Sequence, residues 1–171
     1  MPTPTNASFV VLSAGLLIAT IVDLRTRRIP NALTGMMAAA GLGLAVAGWS
    51  GLSITGVVLG CAIGLALMLP GHLLGATGAG DVKLMAAIGT LVGPLLIIKA
   101  VLFTALAGGV LAVMVAIQRQ RLRVALAGTG RMMASPAGVK REVAAKTKAS
   151  RFAYGPAIAI GSMAAVLSSW F

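Results

Sequence analysis

Asp23 and Asp81 stand 58 positions apart in a chain that holds only three acidic side chains among its 171 residues. An ionised carboxylate beside hydrocarbon is costly, so an acid kept at the edge of an apolar stretch is a candidate functional group. Asp23 closes the run "SFVVLSAGLLIATIVD" and is followed by Arg25, Arg27 and Arg28. Asp81 lies in "ATGAGDVKLMAAIG", where a glycine-rich turn enters an apolar helix. Two close carboxyls cannot both ionise cheaply, so they hold one proton between them. The ionised member can take a proton from a water that attacks a carbonyl. The protonated member can donate to the carbonyl oxygen, and later steps deliver a proton to the leaving amine. This is aspartic-protease chemistry, and it requires no metal, cofactor or nucleophilic serine. Each acid also has a local explanation. Asp23 can pair with Arg27 one helical turn on, and Asp81 can be a first-turn acid favoured by the helix dipole or pair with Lys83. The dipoles favour an ionised Asp81 and a protonated Asp23, the arginines push Asp23 the other way, and the pair is best treated as one coupled titration.

For this chemistry the two acids must reach the same face of the molecule, which is a question of topology. The chain is 58% hydrophobic and 10% charged, with a mean hydropathy of +1.00. A water-soluble domain of this length cannot hide so much apolar surface, and the long uncharged stretches read as membrane-spanning helices. The expected fold is all-α and polytopic, a single domain over residues 1–171 with no soluble domain. Its six transmembrane helices fall at about 8–23, 32–49, 52–70, 82–97, 98–117 and 155–170. The first is a retained helix rather than a cleaved signal, because its arginines follow the apolar segment instead of preceding it.

Basic residues collect on the cytoplasmic side. The turn Leu24 to Asn31 and the tract 118–154, with nine Lys or Arg and one Glu, are therefore both expected there. An even number of crossings must separate them, which requires a turn near Gly93-Pro94 and puts both termini outside. By this topology Asp23 enters the cytoplasmic face as Asp81 leaves it. The net charge of +11 follows from this topology and does not indicate nucleic acid; the basic tract suits anionic lipid headgroups. Gly56, Gly60 and Gly64 form a doubled small-xxx-small pattern that suits close helix packing. Cys61 is alone and apolar in context, so neither a disulfide nor a zinc cluster is expected.

Three stretches resemble the prepilin peptidases, membrane aspartic proteases of the GxGD type. They are "DLRTRRIPN" (23–31), "GAGDVKLMAAIGTLVG" (78–93) and "FAYGPAIAIG" (152–161), in the family's order. The resemblance implies that Asp23 and Asp81 are the catalytic pair and that Gly78 and Gly80 are the motif glycines. It also implies that Arg25, Pro30, Asn31 and Lys83 are supporting positions. The implied substrates are prepilin or pseudopilin precursors, cut at the cytoplasmic face of a bacterial inner membrane after a short basic leader. Longer relatives carry an N-terminal cysteine-bearing cytoplasmic segment and methylate the new N-terminus. This chain shows neither that segment nor a visible S-adenosylmethionine site, so it resembles the short form of Flp-type (Tad) pilus systems, without N-methyltransferase activity.

The main alternative is a proton-coupled transporter or channel subunit with relay aspartates. It predicts charges deep in several helices, whereas the charges within the six segments are Asp23, Lys83 and Lys99, each at or next to a segment's end. Two further relatives share the GxGD pattern. The signal-peptide-type intramembrane proteases resemble a design with a tyrosine near the first aspartate, and here Val22 precedes Asp23. An archaeal preflagellin peptidase is a closer relative. His72, read as a loop residue on the Asp81 side, and Tyr154, at the start of the sixth helix, are secondary candidates for contact with the site.

Overall fold

The computed structural model describes residues 5–75, 77–118 and 154–170. Among them the chain is all-helical, in five elements: α1 (Asn6–Thr26), α2 (Asn31–Val46), α3 (Ile54–Leu73), α4 (Ala79–Gln118) and α5 (Gly155–Leu167). Three stretches, Asn6–Thr26, Ile54–Leu73 and Ala79–Met114, are long and apolar enough to cross a membrane, and α2 and α5 are shorter apolar helices. The helices carry no polar face. Val10, Leu17, Val46, Leu73 and Leu106 lie exposed on their outer surfaces, as expected where lipid rather than water is the solvent. The basic tract 118–154, apart from its two end positions, lies outside the described residues.

The helix ends follow from the local sequence. The Thr5 hydroxyl oxygen accepts from the Ser8 amide and donates to the Trp49 carbonyl at 2.6 Å, which caps α1 and ties it to the end of α2. At its other end α1 stops at Arg27, in the left-handed region (φ 52°), whose N–H bonds back to the Asp23 carbonyl at 2.8 Å. Pro30, extended at ψ 136°, precedes α2; the proline ring suits the residue just outside a helix start. Ser53 caps α3 by accepting from the Gly56 amide at 3.1 Å. That helix runs past Pro70 to Leu73, so His72 belongs to its last turn and not to the loop expected from the sequence.

α4 is the centre of the bundle. Residues 84 to 93 are buried without interruption, so this stretch is enclosed on all sides by protein. Gly60 and Gly64 of α3 allow the approach. A Cβ at Gly60 would meet the backbone of Gly89, and one at Gly64 would lie 2.6 Å from the Met85 carbonyl oxygen. Gly56, the third residue of that pattern, faces Ser53 and Leu52 just ahead of its own helix and not the backbone of α4.

The 40 residues of α4 are interrupted at Gly93 (φ 80°, ψ 179°). Gly64 touches both Met85 and Ile97, which a straight helix would hold about 18 Å apart. The chain therefore folds back at Gly93-Pro94, and two limbs, 79–92 and 94–118, pack side by side against α3. The break falls four residues before the boundary at 97/98 drawn from hydropathy. Gly93 adopts a backbone conformation open almost only to glycine, and Pro94 suits the first turn of the returning limb. Gly93→Ala is expected to lower stability by about 2 kcal/mol, read as the shift in denaturant midpoint of the detergent-solubilised protein. An unchanged midpoint would show that the turn tolerates a side chain.

Candidate active site

Asp23 lies in the last turn of α1 and Asp81 in the first turn of α4. Both are withdrawn from solvent, with 5% and 8% of their surfaces exposed. The two helix ends arrive together, because Lys83 of α4 bonds to Asn31 and Gly80 backs onto Ile29 in the turn that follows Asp23. Each carboxylate is held by a backbone amide through one oxygen. Asp81 Oδ2 accepts from the Gly78 N–H at 2.8 Å, the reach-back of an acid in the first helical turn to the residue that starts the helix. Asp23 Oδ2 accepts from the Gly155 N–H, also at 2.8 Å. Gly155 is the first residue of α5, whose opening amides have no partner within their own helix. The remaining oxygen of each acid accepts no hydrogen bond among the described residues.

The local explanations fare differently. Asp23 forms no ion pair with Arg27 among the described residues; its partner comes from the far end of the chain. The capping role of Asp81 is present, and it coexists with the arrival of the two helix ends at one end of the bundle. Arg25, in the last turn of α1, and Arg27 and Arg28, beyond it, are exposed, and among the described residues the side chain of none of them bonds to either aspartate.

The supporting residues tie the two motif segments to each other. The Lys83 ammonium donates to the Asn31 side-chain oxygen at 2.9 Å. Gly80 backs onto Ile29, whose Cβ would lie 3.1 Å from a Cβ added there. Pro30, between Ile29 and Asn31, sets the start of α2. A Cβ at Gly78 would lie 3.1 Å from Asp81 Oδ2. The space at these two glycines is therefore taken up by Ile29 and by Asp81 itself.

His72 Nδ1 lies 3.1 Å from the Thr77 carbonyl oxygen and closes the turn that precedes Asp81. For that contact Nδ1 must carry the proton. Tyr154 is half-buried with its ring against Gly108, on the returning limb of α4. Burial first, and the charge of Asp81 second, push its hydroxyl above the usual phenol range, so Tyr154 is a neutral hydrogen-bond donor at neutral pH.

Gly155 is the residue that sequence reasoning missed, since a main-chain donor has no side-chain signature. The signal present was the Gly-Pro pair opening an apolar segment, a pattern of helix starts.

The model of the type IV leader peptidase family matches residues 10–113. That span is more than half the chain and takes in both aspartates, the basic turn, the glycine-rich turn and the fold-back at Gly93. Comparison with curated proteins and with solved structures gives no match. Two motif segments laced together, each bringing one acid to the same end of an apolar helical bundle, agree with the family match. The chain belongs to the type IV leader peptidase family and is a membrane-embedded protease.

Proposed function

We propose that this protein removes the short basic leader from Flp-type prepilins at the cytoplasmic face of the bacterial inner membrane, with Asp23 and Asp81 as an aspartic pair. What supports the reading is that the chain's only two aspartates stand at the same end of the bundle, each tethered through one oxygen, with no hydrogen bond to the second oxygen among the described residues. The pair shares one proton. The ionised carboxylate takes a proton from water as that water attacks the scissile carbonyl, and the other carboxyl protonates the carbonyl oxygen. Collapse of the tetrahedral species breaks the C–N bond, and the proton gained from water goes to the leaving amine. The products are the free leader acid and the mature pilin amine, with one water consumed and no cofactor required.

The topology that suits this chemistry has six crossings, α4 supplying two through its fold-back, and both termini outside. The contacts within the bundle support it. Asp23, Asp81, Asn31, Lys83 and Tyr154 belong to one end, and Thr5, Trp49, Leu52, Gly93 and Trp170 to the other. Both tryptophans of the chain follow the short helices α2 and α5 at that opposite end, with Trp170 against Phe9 at a ring separation of 6.0 Å, as expected of an interfacial aromatic belt. The exposure of Arg25, Arg27, Arg28 and Lys83 supports a cytoplasmic side for the Asp end.

The test is incubation of the purified protein, reconstituted in vesicles, with a Flp-type precursor, followed by mass measurement. The expected product is lighter by the leader alone and carries no methyl group. A precursor left intact overturns the reading, and a methylated product overturns its short-form part.

A further inference from the structure

The start of α5 lies against the aspartate site, although it falls outside the matched span of residues 10–113. Gly155 N–H donates to Asp23 Oδ2 across 132 positions of sequence in a buried bond of 2.8 Å. The fit leaves no slack, because a Cβ at Gly155 would lie 2.9 Å from both the Cβ and Oδ2 of Asp23.

The axial position of α5 is set by two contacts with the returning limb of α4. The Tyr154 ring rests on Gly108, where an added Cβ would meet the ring atoms Cζ and Cε2 at 2.7 and 2.9 Å. About two helical turns further on, along the same face, Gly161 sits directly against the backbone of Thr104. Sliding α5 by one residue would move the Gly155 amide by about 1.5 Å, enough to lose a hydrogen bond of this length. The Tyr154–Gly108 contact and the Gly155–Asp23 bond therefore act in series, one fixing the height at which the other forms.

The geometry points to Tyr154 and Gly155 as positioning residues of the peptidase site: Gly155 holds the Asp23 carboxylate through its main-chain amide, and Tyr154, seated on Gly108, sets the helix start at the level where it can do so. This rests on the peptidase reading above. Orientation of a reacting group is worth much in such a site, since a displacement of about 1 Å can cost on the order of a hundredfold in rate. Neither residue needs to touch the substrate, so the effect belongs in kcat.

The experiment uses the full chain in vesicles and a Flp-type precursor at several concentrations. Gly155→Ala, monodisperse and with a wild-type unfolding midpoint, is expected to lower kcat about a hundredfold while KM stays within about twofold. Wild-type kcat in Gly155→Ala, or a loss confined to KM, overturns the proposal and leaves the peptidase reading intact. If Gly155→Ala does not fold, the cycle of Gly108→Ala, Tyr154→Ala and the double variant decides. Gly108→Ala should lower kcat by displacing the Tyr154 ring, and should cost nothing further once the ring is gone. Effects that simply multiply overturn the proposal. A wild-type protein that leaves the precursor uncut overturns the peptidase reading, and this proposal with it.

Discussion

Asp81→Asn is expected to give a folded protein that no longer removes the leader, with the rate down on the order of 10⁴-fold. The asparagine side chain has the same shape, and its carbonyl oxygen can still accept from the Gly78 amide, so the turn ahead of α4 is kept. What it loses is the ability to take or give a proton, and a pair that shares one proton loses function when either member is neutral and fixed. Asp23→Asn should behave alike, its oxygen still accepting from Gly155. Asp81→Ala adds a structural loss of about 1 kcal/mol because the helix start goes uncapped, so comparing Asn with Ala separates chemistry from folding. The measurement is precursor and product by mass, with the unfolding midpoint taken alongside. Normal cutting by either Asn variant would remove that residue from catalysis.

Gly89→Val carries the largest expected effect on stability. A Cβ at Gly89 would lie 2.5 Å from the carbonyl carbon of Gly60 and 3.0 Å from the Cys61 nitrogen. These are backbone atoms with no rotamer to change, so α3 and the first limb of α4 must separate. Overpacking of this kind costs about 3 kcal/mol or more, and here it also forfeits the close contacts that hold apolar helices together in lipid. Gly43→Val is the control, since a Cβ there meets nothing within 4 Å. The expected result is a much lower denaturant midpoint for Gly89→Val in detergent and an unchanged one for Gly43→Val. Equal midpoints would mean that the α3–α4 interface is looser than its geometry.

The aspartate constellation was legible because acids are so scarce here: with Asp23 and Asp81 at the ends of apolar runs, the parity of the basic turns was enough to expect them on one face. The glycines of α3 were legible for a similar reason, since regular spacing in an apolar helix signals close packing, though only contact geometry separates Gly60 and Gly64 from Gly56. The fold-back was half legible. Gly93-Pro94 flagged a turn, yet hydropathy runs evenly through the break and placed the boundary late, because it does not register a positive φ. His72 was misplaced for a comparable reason: Pro70 reads as a stop, whereas the Leu74 amide bonds to the Pro70 carbonyl at 3.0 Å and the helix continues. The contacts of Gly78 with Asp81 and of Gly80 with Ile29 were not legible, since the motif gives the two glycines without saying what fills the space beside them. The Gly155 donor was illegible, because the bond depends on a main-chain atom placed by the packing of distant helices.

The bond between Asp23 and Gly155 has a consequence for biogenesis. During synthesis the ribosome must release more than 130 further residues after Asp23 before its amide partner exists. Until α5 has left the translocon and docked, one member of the acid pair lacks the anchor that orients it. On the reading proposed above, a chain cut short before Gly155 would lack the amide that holds Asp23, and its cutting of precursor should fall with the loss of that anchor.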